Sequence, residues 1–391
     1  MKGIKYSLCL LTLLFCCVFT LKAQNDLHVG AERFLTYEYA VKGKRVAVVS
    51  NQTSVVGKQH LVDFLLAEKV NIVKVFAPEH GFRGEGAAGE KISSGKDLKT
   101  GLSIVSLYGS NKKPTQDQLA NVDVVLFDIQ DVGARFYTYI STMTYVMEAC
   151  AEKGIPFLVL DRPNPNGYYV DGPVLEKGYE SFVGLHPVPV VHGMTVGEYA
   201  LMVSNEGWLA KGIKADLTVI KCLNYAHQDK YELPIAPSPN LPNTASIALY
   251  PSLCFFEGTP MSVGRGTDLP FQTFGAPWFH LGSFGFTPKS VPAAPHPPFE
   301  NKQCFGINLF NFGQFFMAGS GKLYWMWLVE SYRIAPDKEH FFTPFFDNLA
   351  GTDRIRKAII NGVEADEIPD IYKKEVLEFK KLRRKYLIYS E

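Results

Sequence analysis

Residues 122–128 read Val122-Asp-Val-Val-Leu-Phe-Asp128, an apolar run that is typical of a buried β-strand. The chain then becomes polar as far as Arg135 and enters an apolar helical pattern over residues 136–153. Gly154 follows at the position where glycine often ends a helix. A strand, a polar loop and a long helix in succession form the unit from which parallel sheets are built.

The same succession recurs on both sides of this unit. Further strands are predicted at residues 45–51, 72–77, 102–108, 156–161 and 216–221. Helices are predicted at residues 59–69, 115–120 and 195–206. Because strands and helices alternate, the sequence predicts an α/β fold with a Rossmann-like, mostly parallel sheet and helices on both faces.

A proline-rich segment divides the sequence. Four prolines between residues 234 and 242 suit a rigid, extended crossing between two lobes. We therefore expect a signal peptide at residues 1–23, a Rossmann-like catalytic domain at residues 24–235, and a smaller α+β C-terminal domain at residues 236–391 that closes a cleft.

The first residues have the pattern of a secretory signal. Lys2 and Lys5 precede an apolar run from Leu8 to Leu21, and Ala23 is a suitable small residue for cleavage. The apolar run is short for a membrane-spanning helix, so we expect no membrane span. The mature protein is predicted to be periplasmic or secreted, and lipidation at Cys16 stays open as an alternative.

Composition excludes several classes of partner and site. The 391 residues are 47% hydrophobic and 20% charged, and a net charge of +1 gives no indication of nucleic-acid binding. The cysteines beyond the signal lack the Cys-x-x-Cys spacing of a zinc site, and the sequence leaves their disulfide pairing open. A metal site built from His80, His186 and His192 also lacks a recognisable ligand spacing, so no metal is expected.

Polar residues occur where the predicted strands end. Asn51, Glu79, Asp128 and Asp161 each come at or just past the end of an apolar strand. In a parallel sheet these ends share one edge, which is where ligands bind in open α/β folds. The four residues together indicate a functional site at that edge.

The loop after the second of these strands carries the leading acid–base candidate. Glu79 follows Pro78 and stands close to apolar residues, whose desolvating effect would raise a carboxyl pKa as a general acid requires. His80 is predicted to orient Glu79 or to bind substrate, and Asp128 is a further catalytic candidate. The glycines at 84, 86 and 89 have dinucleotide-motif spacing but lie away from the strand, so we expect no cofactor.

Other polar residues of these motifs are candidates for substrate binding. They are Asn51, Arg83, Glu90, Gln130, Asp131, Arg135, Asp161, Arg162, Asn164, Asn240, Glu257, Arg265 and Asp268. Two structural alternatives stay open, namely an ion pair between Asp131 and Arg135 and side-chain hydrogen bonds in the turn after Asp161.

Four ordered motifs resemble those of the NamZ-type exo-β-N-acetylmuramidases, a glycoside hydrolase family. They are Pro78-Glu-His-Gly-Phe-Arg-Gly84, Phe127-Asp-Ile-Gln-Asp-Val-Gly-Ala-Arg-Phe-Tyr137, Leu160-Asp-Arg-Pro-Asn-Pro165, and Glu257-Gly-Thr with Gly264-Arg-Gly-Thr-Asp268. The resemblance implies release of N-acetylmuramic acid from the non-reducing end of peptidoglycan fragments. It also implies a site in the cleft between two domains, a homodimer, and Glu79 as the catalytic glutamate, with Glu90 as second choice.

The resemblance adds a requirement for a cation. N-acetylmuramic acid carries a lactyl carboxylate, for which Arg83, Arg162 and Arg265 are the candidate partners. Two other functions stay open: a non-catalytic wall-sugar-binding protein and a metal-dependent amide or ester hydrolase. Retaining, inverting and substrate-assisted mechanisms are also left open, because they depend on a second carboxylate that the sequence does not identify.

Overall fold

A computed structural model describes residues 26–79, 81–83 and 95–391. The strands are β1 (Arg45–Ser50), β2 (Val55–Val56), β3 (Gln59–His60), β4 (Asn71–Ala77), β5 (Gly95–Lys96), β6 (Ser103–Ser106), β7 (Val124–Asp128), β8 (Phe157–Leu160), β9 (Asp171–Val174), β10 (Pro189–Val191), β11 (Leu217–Ile220), β12 (Thr273–Ala276), β13 (Phe284–Phe286) and β14 (Cys304–Asn308).

The α-helices are α1 (Glu38–Val41), α2 (Leu61–Ala67), α3 (Tyr139–Lys153), α4 (Val196–Asn205), α5 (Thr244–Leu253), α6 (Phe310–Phe312), α7 (Ala318–Ser320), α8 (Met326–Ile334), α9 (Pro344–Ala350), α10 (Arg354–Ile360) and α11 (Lys373–Arg383). None of the helices within the described ranges is long and apolar enough to cross a membrane.

A seven-stranded sheet forms the centre of the first half of the chain. Its strand order is β11-β8-β7-β1-β4-β6-β5. Every pairing is parallel except that of the short edge strand β5 with β6. The predicted α/β class with a mostly parallel sheet is therefore confirmed.

Strand β1 shows why this sheet needs helices on both sides. Val46 and Val48 point into one apolar cluster, whereas Ala47 and Val49 point into the other. Side chains alternate between the two faces of a strand, so a strand that is apolar on both faces must be covered on both. Helix α2 covers one face and helix α3 covers the other.

The second half of the chain packs on the α3 side. Its three-stranded antiparallel sheet has the order β12-β14-β13, and its buried aromatic residues belong to the same apolar cluster as α3. The strands approach closely at Gly275, where a Cβ atom would lie 2.1 Å from the carbonyl oxygen of Phe305. This part of the fold matches the second α+β region that the sequence predicts.

The local signals for helices have mixed outcomes. Thr195 and Glu198 form a capping box at the start of α4, and Gly154 ends α3 with φ +67°. The helix predicted at residues 115–120 is wrong, since this segment is a turn. Thr115 and Gln118 exchange side-chain hydrogen bonds with each other's backbone N–H, but so short a segment does not offset the cost of helix nucleation.

A buried arginine ties the two halves together. The guanidinium of Arg135 is fully buried and donates to the carbonyl oxygens of Pro173, Val188 and Leu349. The first two belong to the β9–β10 region and the third to the last turn of α9. Burial lowers the pKa of Arg135 to about 9, and the carbonyl dipoles replace the water that it loses.

A second buried cation stabilises the carboxyl edge of the main sheet. The Nε atom of Arg162 donates to Oδ1 of Asp128 at 2.5 Å, and its Nη2 donates to Oδ2 at 2.9 Å. Both side chains are almost fully excluded from solvent. In such a bidentate ion pair each residue balances the charge of the other. Neither residue could remain ionised alone at this buried position.

Replacing Arg162 by alanine should therefore destabilise the protein strongly. Asp128 would be left buried without its partner, which costs about 3–5 kcal/mol in comparable pairs. Urea unfolding followed by far-ultraviolet circular dichroism measures the loss. Arg333→Ala is the control, because Arg333 pairs with Glu330 and Glu364 on the surface and should unfold like the wild type. Equal midpoints for Arg162→Ala and wild type would contradict this account.

Candidate active site

The main cavity lies where the carboxyl end of the sheet meets the second half of the chain. Its volume is about 330 Å³. The described residues that line it are Glu79, Tyr108, Phe136, Tyr137, Thr138, Tyr139, Phe182, Val183, Ser238, Asn240, Leu241, Tyr250, Cys254, Glu257, Arg265, Phe271, Phe345 and Leu349.

Glu79 enters this cavity directly after β4. Its Oε2 accepts a hydrogen bond of 2.9 Å from the hydroxyl of Thr138, and its backbone oxygen accepts one of 3.2 Å from the phenol of Tyr139. Burial, together with the adjacent Glu79 carboxylate that shares a hydrogen bond with this phenol, raises the pKa of Tyr108 to about 12. Hydroxyl groups on neighbouring elements therefore hold the Glu79 carboxylate in place.

Aromatic rings form one wall of the cavity. Tyr250 makes edge-to-face contacts with Phe136, Tyr137 and Phe271, with ring centroids 5.0–5.8 Å apart. The phenol of Tyr137 donates to the carbonyl oxygen of Pro237 at 2.8 Å. A packed wall of this kind presents apolar ring surface to a ligand while its polar ends are already satisfied.

A carboxylate and a guanidinium from the second half of the chain stand on the cavity surface. Nε of Arg265 donates to Oε1 of Glu257 at 2.6 Å, and the guanidinium lies 4.9 Å from the ring centroid of Phe271. Nη1 and Nη2 of Arg265 make no hydrogen bond to the residues that the structure describes. These two nitrogens are therefore available to a ligand.

Two family profiles together match almost the whole of the described chain. The N-terminal profile of exo-beta-N-acetylmuramidase NamZ matches residues 46–245, and the C-terminal profile of the same family matches residues 248–389. The chain belongs to the NamZ family. It is 42% identical over 373 residues to the peptidoglycan beta-N-acetylmuramidase NamZ of Bacillus subtilis (strain 168), a match that covers 90% of this chain and 89% of that protein.

Solved structures of relatives have the same fold. A DUF1343 family protein of Bacteroides fragilis superposes with a TM-score of 0.87 at 48% identity, covering 94% of this chain and 99% of that one. A second DUF1343 protein of the same organism superposes with a TM-score of 0.77 at 30% identity, covering 93% and 99%. Both relatives thus share the fold of this NamZ family member over at least 93% of its chain.

The structure brings four of the residues predicted from the sequence to the cavity. Glu79, Asn240, Glu257 and Arg265 line it. Asn240 also fixes the cavity wall, since its Nδ2 donates to the carbonyl oxygen of Ala293 at 2.8 Å. His80 and Glu90 lie outside the described residues.

Most of the other candidates hold the sheet edge together and do not line the cavity. Asp128 and Arg162, which the sequence predicts for catalysis or binding, form a buried ion pair with each other and do not line the cavity. Asn51 is fully buried, and its Oδ1 accepts hydrogen bonds from the backbone N–H and the hydroxyl of Thr53. Asp161 is also fully buried and accepts hydrogen bonds from the hydroxyls of Thr195 and Tyr389.

The loop residues that follow the strands have similar structural partners. Nε2 of Gln130 donates to the carbonyl oxygens of Asp131 and Pro163, and Nδ2 of Asn164 donates to that of Met194. The turn after Asp161 is thus built by side-chain hydrogen bonds, as the structural alternative predicts. The NH2 groups of both amides are thus bound to backbone carbonyl oxygens, and neither residue lines the cavity.

The remaining arginine and aspartate candidates also lie elsewhere. Arg83 pairs with Asp97 at 2.8 Å and with Asp63 at 3.2 Å, so its charge is already balanced. Arg135 bonds to carbonyl oxygens, and the alternative that pairs it with Asp131 is wrong as well. Asp268 is exposed and does not line the cavity.

Several cavity residues were missed by the sequence analysis. Thr138, Tyr108, Tyr139 and Tyr250 all face the cavity, yet none is charged and none ends a predicted strand in a polar motif. A signal was present for Thr138, which directly follows the motif ending at Tyr137. A hydroxyl-bearing residue that directly follows a motif with candidate site residues is therefore itself a candidate for the site.

The cysteines and histidines supply no second kind of chemistry in the described part of the chain. Cys150, Cys222, Cys254 and Cys304 are free and buried. Burial raises the pKa of the Cys150 thiol, so this group is inert. Among residues 26–79, 81–83 and 95–391, no three His, Cys, Asp or Glu side chains are placed to share a metal ion.

Asp131 has an unusual environment behind the cavity wall. Its Oδ1 accepts a hydrogen bond of 2.7 Å from the N–H of Gly133, whereas its buried Oδ2 has no hydrogen-bond partner among the described residues. Burial raises its pKa to about 7, against the effect of the N–H groups of Gly133 and Val132. Near neutral pH the carboxyl of Asp131 is therefore about half protonated in the folded protein.

Replacing Asp131 by asparagine should stabilise the protein at high pH more than at low pH. The folded carboxyl titrates near pH 7 and the unfolded one near the ordinary value of 3.8, so stability falls as pH rises through this window. The amide carries no charge and escapes this loss. The difference in unfolding free energy between variant and wild type should grow by about 2–3 kcal/mol from roughly pH 5 to roughly pH 8. Parallel stability curves in urea titrations at several pH values would contradict the assignment.

Proposed function

We propose that this NamZ family member is an exo-acting glycoside hydrolase that releases N-acetylmuramic acid from the non-reducing end of peptidoglycan fragments. The family membership and the name of the Bacillus relative support the substrate. The observation that carries the proposal is the position of Glu79, a carboxylate held by hydroxyl groups in a cavity with an aromatic wall.

Glu79 is assigned the role of general acid. A glycosidase must protonate the oxygen of the leaving sugar while the bond to the anomeric carbon breaks. Thr138 and Tyr108 fix the carboxyl group, so that little reorganisation is needed when the proton moves. Tyr139 holds the backbone of the same residue through its carbonyl oxygen.

The size and walls of the cavity suit an enzyme that acts on chain ends. Ligand pockets usually measure roughly 300–1,000 Å³, so a volume of about 330 Å³ is at the small end. The loop at Ser238 and Asn240 and the helix residues Phe345 and Leu349 line the same cavity as Glu79. An enclosure accepts a terminal sugar, whereas the middle of a glycan chain requires an open groove.

The first test is the substitution Glu79→Gln. The amide keeps the size of the side chain and removes the transferable proton, so turnover of a chromogenic N-acetylmuramic acid β-glycoside should fall by about 10²-fold or more. Glu330→Gln on the outer face of α8 is the matched control and should keep wild-type turnover. A folded Glu79→Gln protein with near-normal turnover would contradict the assignment.

The same experiment separates the other two functions. A wall-sugar-binding protein would show a change of affinity and no turnover in any variant, and a metal-dependent hydrolase would lose its activity on addition of a chelator.

The second test is the order in which products appear. Soluble peptidoglycan fragments should release free N-acetylmuramic acid from the first time point, with no internal oligosaccharide preceding it. Chromatography with mass detection of the digest follows this directly. Early appearance of larger oligosaccharides would show attack within the chain and would refute the exo-acting mode.

The periplasmic or secreted location is also part of the proposal. It rests on the signal pattern ending at Ala23, and cleavage there gives a mature chain that begins at Gln24. Full-length protein expressed in a Gram-negative host should be recovered from the periplasm with that N-terminus, as read by Edman degradation or mass spectrometry. Intact Met1 on cytoplasmic protein would contradict it. The homodimer stays a prediction that sedimentation of the mature protein tests.

A further inference from the structure

Glu257 and Arg265 form a paired acid and base on the surface of the cavity. Glu257 lies on the helical turn Cys254–Gly258, and Arg265 lies on the loop that follows it. Their side chains touch at 2.6 Å and remain 27% and 21% exposed, so both reach the space in front of Glu79. The pair therefore faces any ligand that occupies the cavity.

The surroundings fix the orientation of both groups. Gly258 packs so tightly on α9 that a Cβ atom there would lie 2.5 Å from Cα of Phe346. The ring of Phe256 stacks on that of Phe274 with centroids 4.9 Å apart. On the other side, Phe271 supports the guanidinium plane of Arg265. The pair is thus preorganised, which lowers the entropy cost of binding a ligand.

Each group keeps binding capacity toward the cavity. Arg265 uses Nε for Glu257, and its Nη1 and Nη2 make no hydrogen bond to any residue in the described ranges, so the guanidinium suits a carboxylate ligand. Oε2 of Glu257 has the thiol of Cys254 at 3.7 Å as its contact in the described chain, which leaves it able to accept from a ligand N–H. The cavity surface thus presents a cation directly beside an acceptor.

The sugar of the proposed function has the complementary arrangement. N-acetylmuramic acid carries an acetamido N–H and a lactyl carboxylate on neighbouring ring carbons, which places a donor directly beside an anion. We propose that Glu257 and Arg265 act as one recognition element, in which Glu257 accepts from the acetamido N–H and Arg265 binds the lactyl carboxylate. This inference rests on the proposed function and names the residues that select its substrate.

The pairing explains how one site rejects N-acetylglucosamine. That sugar has the same acetamido group but no lactyl group, so it engages Glu257 and leaves Nη1 and Nη2 of Arg265 without a partner from the ligand. When a ligand lacks the group that a polar side chain of the site binds, that side chain stays unpaired in the complex. The site therefore binds this ligand much more weakly than the ligand that carries the group. Arg83 and Arg162 do not serve this purpose, because neither of them lines the cavity.

The test of Arg265 compares three chromogenic β-glycosides. They carry N-acetylmuramic acid, its analogue with the lactyl carboxylate converted to a carboxamide, and N-acetylglucosamine. In the wild type, kcat/KM should favour the carboxylate over the carboxamide by about 10²-fold. Arg265→Ala should bring this ratio close to one, Arg265→Lys should restore part of it, and the surface control Arg333→Ala should keep it.

The test of Glu257 uses an analogue in which the acetamido N–H is replaced by an ester oxygen. Wild-type protein should prefer the amide by about 10-fold or more, the scale of one hydrogen bond to a charged group. Glu257→Gln should reduce that preference, and because the two residues act as a unit, it should also weaken the preference for the lactyl carboxylate. Thermal unfolding of each variant checks that the fold is kept.

Two results would overturn the recognition element. One is an Arg265→Ala protein that slows on all three glycosides by the same factor, and the other is a Glu257→Gln protein with an unchanged preference for amide over ester. A wild type that hydrolyses none of the glycosides would refute the proposed function alone. Calorimetric titration of free N-acetylmuramic acid and N-acetylglucosamine into Glu79→Gln, with and without Arg265→Ala, then decides the recognition element independently of turnover.

Discussion

The structure depends on satisfying polar groups at the carboxyl edge of a sheet that is covered on both faces. Asp128 and Asp161 at this edge are fully buried, so each of them needs a partner from the protein. Asp128 takes Arg162, and Asp161 takes the hydroxyls of Thr195 and Tyr389. Tyr389 comes from the end of the chain, which therefore returns to complete the edge. The result is a platform in which these two buried carboxyl groups have partners from the protein itself.

The partners at this sheet edge determine which polar side chains are left to contact a ligand. Of the four polar residues at the strand ends, Glu79 is the one that lines the cavity, where hydroxyl groups of the α3 region hold it. The other wall comes from the second half of the chain, and Arg135 fixes its position by binding the last turn of α9 from within the core. Phe345 and Leu349 of that helix line the cavity. Arg135, a buried cation that binds carbonyl oxygens and no carboxylate, thus positions the second wall of the cavity.

The sequence predicted the class of fold and the edge of the sheet at which the site lies. It also identified Glu79, Asn240, Glu257 and Arg265, all of which line the cavity. It could not distinguish them from residues such as Asp128 and Asp161, because a polar residue after a strand has the same pattern whether its side chain faces a ligand or a neighbouring strand. That choice depends on which partner packs against it, and Tyr389 lies more than two hundred residues from Asp161 along the chain.

The two carboxylates of the cavity show how environment separates the roles of identical side chains. Glu79 is in contact with hydroxyl groups, which can hold either protonation state of a carboxyl group because a hydroxyl both donates and accepts. Glu257 is in contact with a guanidinium, which only donates and therefore matches the charged state. A group that must give up a proton and take it back needs partners of the first kind. A group that must remain an anion, to orient a ligand N–H and a neighbouring cation, needs partners of the second kind.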